Sequence, residues 1–302
     1  MPKPAFPAFT PFVLLLALLA SPESPQASPP AAGAPVERSW LDANGDPLPL
    51  RTDEEVEEFL RTAPVKELEG ISRGVAGARK ALLQKGDIKM HAVFRTVAVE
   101  ERERRLKSRV VWFYRDHYIH EPAAYALSEL LALEMVPPAV ERTLRGTPGS
   151  LQIWVEGATA AVDRKKEGRR SPDERSIMLQ YYQMQVFDNL INNLDRNQGN
   201  ILIDPHERAW LIDHTRAFVR DTQLATPDTV RRVERGLWEK LRSLSDQELE
   251  AAIEPYLPGP ERAALLERRR LLVELIQGKI DLLGDEGVLF DRAELSPRRP
   301  EK

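Results

Sequence analysis

The sequence predicts an α+β chain in two segregated lobes, β-rich first and helical second, on two observations. Alternating and β-branched runs crowd the part before about residue 155. Helical spacing and capping signals fill the part after it. No internal repeat is visible.

Composition narrows the function classes. A chain of 302 residues with 42% hydrophobic content can bury a sizeable core. Its 43 Lys and Arg face 47 Asp and Glu, so there is no electrostatic footprint for nucleic acid. With no Cys, the fold has no disulfide framework, thiolate metal ligand or cysteine nucleophile.

Lys3 and the apolar run Phe12 to Ala20 have the layout of a secretory signal over residues 1–20, too short to span a bilayer comfortably. A secreted or periplasmic location follows as an expectation, with no stable membrane span after cleavage; an uncleaved N-terminal anchor is the alternative. Residues 21–50, which begin SPESPQASPPAAGAP, are rich in Pro, Ala and Ser and are expected to be an extended linker. The expected order beyond it is an N-lobe over 51–156, a C-lobe over 157–290 and a disordered tail over 291–302.

Thr52 and Glu55 make a capping-box pattern ahead of a helix whose Val56, Phe59 and Leu60 share a face. From Ile71 to Val99 the glycines Gly74 and Gly77, the Lys85-Gly86-Asp87 turn and the run at Ala92 to Phe94 predict a hairpin with a glycine-bearing start. Glu100 to Lys107 is expected to be a charged connection, followed by a strand at Val110 to Tyr114 and a helix ending near Leu133. Strands are expected at Val140 to Leu144 and Ser150 to Val155, and Asp163 to Arg170 as a solvated loop near the lobe junction.

Ile177, Tyr181, Met184, Phe187 and Ile191 then recur at helical spacing. Asn200 to Ile203 and Trp210 to Ile212 read as paired strands across a turn at residues 204–208. Further helices are expected from an N-cap at Thr226 with Pro227 at the first position, from a Ser245 and Glu248 capping box, and over Glu261 to Gln277.

The chemistry is concentrated between Phe187 and Phe218. Phosphoryl transfer from ATP needs a carboxylate near the attacking hydroxyl and oxygen ligands that hold magnesium on the phosphates. A D-x-x-x-x-N loop followed by an Asp across a short hairpin meets that need. Asp195 and Asn200 match the loop, and Asp213 lies thirteen residues beyond Asn200. Asp188 and Asn193 satisfy the same short spacing. Asp188 sits in a predicted helix, however, and His206 stands where the metal Asp would have to be.

Leu194-Asp195-Arg196-Asn197, Gly199-Asn200 and Leu211-Ile212-Asp213 together resemble the signature of the atypical kinases. That group includes the HipA-type kinases, the phosphatidylinositol 3- and 4-kinases and the secretory-pathway protein kinases; this chain reads as a bacterial-type envelope member. The resemblance implies a two-lobed protein-kinase-like fold that binds ATP with Mg2+ or Mn2+ and phosphorylates a protein or small-molecule hydroxyl. It implies Asp195 as the catalytic carboxylate and Asn200 and Asp213 as metal ligands. In the N-lobe it implies a glycine cover at Gly74 and Gly77, a nucleotide-binding hinge around Val155, and a phosphate-binding cation held by Glu121.

The expected cation is a Lys at the end of Ala92-Val93-Phe94, where this sequence has Arg95. Lys89, six residues earlier and on the same strand face, is the rival. Because Arg presents a planar fork rather than a compact ammonium, Arg95 leaves two readings open, an active kinase or a nucleotide- or partner-binding pseudokinase. Pro122 places Glu121 at a helix N-cap. His117, His120 and Glu121 lack the spacing of a zinc hydrolase motif.

Overall fold

Period-two alternation in the first half of the chain builds an antiparallel sheet, and the helical spacing of the second half builds the lobe that faces it. The computed structural model describes residues 39–71, 77–106, 110–193 and 195–295. The first lobe contains α1 (Asp53–Thr62), β1 (Val65–Gly70), β2 (Ala78–Lys85), β3 (Ile88–Arg95), β4 (Ala98–Arg105), β5 (Val110–His117), α2 (His120–Leu130), β6 (Ala139–Leu144) and β7 (Thr147–Ile153). Five of these strands form one antiparallel sheet in the order β1-β2-β3-β7-β6, while β4 and β5 make a separate two-stranded sheet.

Alternation along β3 decides which side chains reach the site. Met90, Ala92 and Phe94 are buried with Leu83, Leu151 and Val140 against Val56, Phe59 and Leu60 of α1. Val93 and Arg95 consequently point to the opposite face. Gly149 at the start of β7 permits this arrangement. A Cβ there would lie 2.4 Å from the Arg95 carbonyl oxygen and 2.5 Å from the Phe94 ring, so any other residue would push the end of β3 away.

The second lobe contains β8 (Thr159–Ala160), α3 (Ala161–Lys166), α4 (Glu174–Ile191), β9 (Ile201–Ile203), β10 (Ala209–Leu211), β11 (Val233–Glu234), α5 (Arg235–Ser243), α6 (Asp246–Ile253), α7 (Gly259–Leu283), α8 (Asp285–Val288) and β12 (Leu289–Phe290). β9 lies between β10 and β8 in a small antiparallel sheet that carries the expected hairpin. Phe187, Leu190 and Ile191 of α4 pack into one core with Leu211, Phe218, Leu265 and Leu272, and Leu127 of α2 joins it. The capping boxes at Thr52 and Ser245 are both closed reciprocally.

Several sequence expectations are corrected by packing. Ordered structure begins before residue 51: Trp40 and Leu48 are buried, and the Trp40 indole donates to Asp53 at 3.2 Å. An aromatic anchor thus draws the end of the Pro-rich stretch into the first-lobe core. Glu100 to Lys107 is strand rather than connection through Arg105, because cross-strand partners such as Arg115, 2.9 Å from Glu100, accept its charges.

Asp163 opens no loop but lies inside α3. Glu121 is not an N-cap; Ile119 is, and Glu121 and Pro122 fall in the first turn, where the missing proline N–H costs no helical hydrogen bond. Thr226 and Pro227 start only a single 3-10 turn, Pro227–Thr229. Within the expected tail Arg292–Leu295 form a 3-10 turn, and the Leu295 carbonyl accepts from Ser176 Oγ at 2.5 Å; residues 296–302 lie outside the described residues. Residues 1–20 and Gly74 lie outside the described residues. Among the described residues no helix is long and apolar enough to cross a membrane.

Candidate active site

A cleft of about 590 Å³ lies between the open face of β2 and β3 and the β8 to β10 sheet. Its apolar part is made by Val93, Trp154, Ala158, Val162, Leu202 and Ile212, a slot suited to a flat heteroaromatic ring. Its polar end is made by Arg95, Asn200, Asp213 and Thr215. The two ends belong to one continuous pocket.

The loop between α4 and β9 is shaped mainly by local bonds. Asn192 ends α4 in the left-handed region at φ 47°, a conformation that Asn tolerates better than most residues. Arg196 then braces the turn: Nε meets the Asp188 carboxylate at 2.9 Å, and Nη1 donates to the carbonyls of Asn200 at 2.7 Å and Ile212 at 2.9 Å. The Asp188 and Asn193 spacing is therefore part of the brace, with Asn193 Nδ2 3.3 Å from Asp188 Oδ1. Asn200 Nδ2 donates to the Asp195 carbonyl at 3.0 Å, which leaves the Asn200 amide oxygen as a ligand atom.

Asp213 follows β10 with φ at 59°, in the left-handed region where a non-glycine backbone stores strain. Burial pushes its carboxyl pKa up, while the nearby Arg95 opposes that shift. Glu121 reaches the same turn from α2: Oε1 accepts from the His214 backbone N–H at 2.9 Å and Oε2 lies 3.2 Å from His214 Nδ1. Burial raises the Glu121 pKa, but the Arg95 charge and the bonds to His214 outweigh it and hold the value at about 2.

Arg95 sits between the two lobes' carboxylates. Its Nε is 3.5 Å from Glu121 and 3.7 Å from Asp213, and its Nη1 is buried with no partner among the described residues. An orphaned cationic N–H at the polar end of the cleft fits a phosphate oxygen. Lys89, the rival, stands six residues back on β3, about 20 Å away at the rise of a strand, and does not line the cleft. Gly77 does line it, with φ at 108° in the turn before β2. Val155 is buried in the first-lobe core, so the cleft wall there is made by its neighbours Trp154 and Ala158.

Three groups at the site lie outside the sequence expectations. Trp154 lines the cleft, and Lys80 Nζ lies 4.6 Å from the centre of its ring. Lys166 and Asp163 line the rim from α3. Arg216 binds Asp195, at 3.1 Å between Nη1 and Oδ2. The lone usable sequence signal was the alternation of β2, which pairs Lys80 with Val93 on one face.

The donor set suits a hard divalent cation. Asn200 and Asp213 supply oxygen from two neighbouring segments, which matches the way magnesium takes one or two protein oxygens and completes its shell with water and phosphate. Among the described residues no three His, Cys, Asp or Glu side chains gather into a metal cage. His117 and His120 bond separately: His117 Nδ1 accepts from the Ile119 N–H at 3.1 Å, and His120 Nδ1 donates to the Thr215 carbonyl at 2.7 Å.

No family model matches the chain, and no curated protein sequence matches it. Solved structures do. A Hydra Fam20 structure with sugar aligns at a TM-score of 0.57 and 16% identity, over 79% of this chain and 92% of that one. The Golgi casein kinase aligns at a TM-score of 0.56 and 14% identity, over 78% of this chain and 79% of that one. The same kinase with Mn and ADP bound gives a TM-score of 0.56 and 14% identity, over 83% and 80%. At these identities the likeness shows the fold, which is two-lobed and kinase-like.

Proposed function

We propose that this chain is a metal-dependent phosphotransferase that moves the γ-phosphate of ATP to a protein or small-molecule hydroxyl. One observation carries the reading: Asn200 and Asp213 meet Arg95 at the polar end of a single cleft, and Asp195 stands in the loop that Asn200 closes. The Mn and ADP of the aligned Golgi casein kinase support a nucleotide and a divalent ion in such a cleft. A secreted or periplasmic location remains part of the proposal, on the signal-like layout of residues 1–20 and the likeness to a casein kinase of the Golgi.

In this reading Asn200 and Asp213 would hold the divalent ion, which would supply charge neutralisation at the phosphates. Arg95 binds a phosphate oxygen through its free Nη1 while Nε stays with Glu121. Asp195 orients the acceptor hydroxyl and takes its proton. Trp154 and Leu202 hold the base and exclude water.

A second reading, a nucleotide-binding pseudokinase, is favoured by one specific contact. Arg95 already lies 3.7 Å from Asp213 and competes with a metal for that carboxylate. Transfer of labelled γ-phosphate with magnesium or manganese separates the two, with wild type run beside Asp195→Ala and Asp213→Ala. Incorporation by wild type alone supports the transferase. Equal incorporation by all three ends it, and Mn–ATP binding without incorporation gives the pseudokinase.

A further inference from the structure

Asp195 is held by more than its own loop. Its Oδ2 is 3.1 Å from Arg216 Nη1, and Arg216 Nε is 2.8 Å from Asp116 Oδ2. Asp116 is 4% exposed and sits at the end of β5, in the two-stranded sheet that stands apart from the main one. The Tyr114 hydroxyl donates to the same Asp116 oxygen at 3.4 Å. The end of β5 thus meets the Asp195 loop and the segment after β10 in one chain of charges.

From this geometry we infer that Arg216, fixed in place by Asp116, is the positioning residue for the Asp195 carboxylate. The inference rests on the reading of Asp195 as the group that serves the acceptor hydroxyl. A partly exposed carboxylate turns freely about its Cβ–Cγ bond unless one oxygen is engaged. Arg216 engages Oδ2, so the acceptor is served by the other oxygen, in one orientation.

The guanidinium suits the task because its planar fork spends Nε on one carboxylate and Nη1 on another without changing rotamer. Asp116 is the part that makes this an arrangement rather than a surface ion pair. Exposed pairs contribute little because both side chains wander, whereas a nearly buried Asp116 keeps the guanidinium where Asp195 needs it. The neighbouring bonds act in the same direction. The Thr215 carbonyl accepts from the His117 N–H at 2.9 Å and from His120 Nδ1 at 2.7 Å, so the backbone next to Arg216 is pinned to the segment that carries Asp116.

The test uses the full chain with Mn–ATP as the probe and follows ADP formation, Mn–ATP affinity by calorimetry, and hydrogen exchange over residues 195–200. Arg216→Ala is expected to lower kcat by roughly 10- to 100-fold, the usual consequence of a misplaced catalytic group, while the KM for Mn–ATP stays within about twofold. Arg216→Lys, which keeps one donor, recovers part of the rate. Asp116→Asn lowers kcat less, and the Asp116→Asn, Arg216→Ala double variant is no slower than Arg216→Ala, because Asp116 acts through Arg216.

Unchanged kcat in Arg216→Ala while Asp195→Ala is inactive overturns the inference and leaves the transferase reading standing. Additive losses in the double variant also overturn it. If wild type binds Mn–ATP but forms no ADP, the transferase reading fails and exchange decides the inference. Faster exchange over 195–200 in both single variants supports the tether, and unchanged exchange overturns it.

Discussion

The two halves of the cleft are built on different principles. The lower half, from Asp188 to Asp213, is braced largely by bonds within about 25 residues of chain, such as Arg196 to Asp188 and to the Asn200 and Ile212 carbonyls. The upper half depends on partners from distant segments: Arg95 from β3, Glu121 from α2 and His214 beyond β10. A local motif survives as a recognisable spacing. A long-range cluster leaves only residue types, and several arrangements of those types read equally well.

The largest expected effect falls on the lower half. Asp213→Ala should lower phosphate transfer by about 10²–10³-fold or more, since positioned charge supplies most of this chemistry, with little change in folding stability. Loss of both together, measured by transfer assay beside urea unfolding, would show that the lower half is a folding element as much as a site.

Arg95→Ala reverses the emphasis. It leaves Glu121 buried without its cation and should cost about 3–5 kcal/mol of stability by urea unfolding, the range for a broken buried pair. Arg95→Lys should lose far less. A lysine variant as unstable as the alanine variant would mean that the fork geometry, not the charge, holds the upper half together.

Acid provides a third test, because His120 belongs to the upper half. Burial depresses its pKa to about 3, with Arg115 adding to the effect. The unfolded chain binds a proton near the ordinary histidine pKa of about 6.5, while the folded chain stays neutral until far lower pH, so stability falls as pH drops below about 6.5. Between pH 7 and pH 5 the loss should be about 2 kcal/mol by urea titration. His120→Gln, whose amide can still donate to the Thr215 carbonyl, should flatten that slope.

The smallest effect separates brace from catalyst. Asp188→Asn keeps the shape but removes the charge that faces Arg196, and should cost about 1–2 kcal/mol while lowering transfer much less than Asp195→Ala. Equal losses of transfer from the two would mean that the Asp188 carboxylate acts directly in the chemistry.

The same contrast explains what could be read in advance. Both capping boxes, the α4 periodicity and the β9 to β10 hairpin were legible because each depends on neighbours within a few residues. Strand β4 was not, since a run of Glu and Arg becomes a strand only when β5 supplies cross-strand partners. Trp40 was hidden by a Pro-rich flank and is decided by the core it enters. Lys89 and Arg95 share a strand face, and only the position of the cleft along β3 distinguishes them. Arg216 and Asp116 are a hundred residues apart and leave no local pattern.

By itself the sequence determined the order of the two lobes and the spacing of Asp195, Asn200 and Asp213, because secondary-structure periods and short loops are properties of adjacent residues. Tertiary structure alone decided which cation faces the cleft, what binds Glu121 and how Asp195 is held. Those outcomes depend on burial and on charges meeting across the fold, and neither is written in the spacing of residues along the chain.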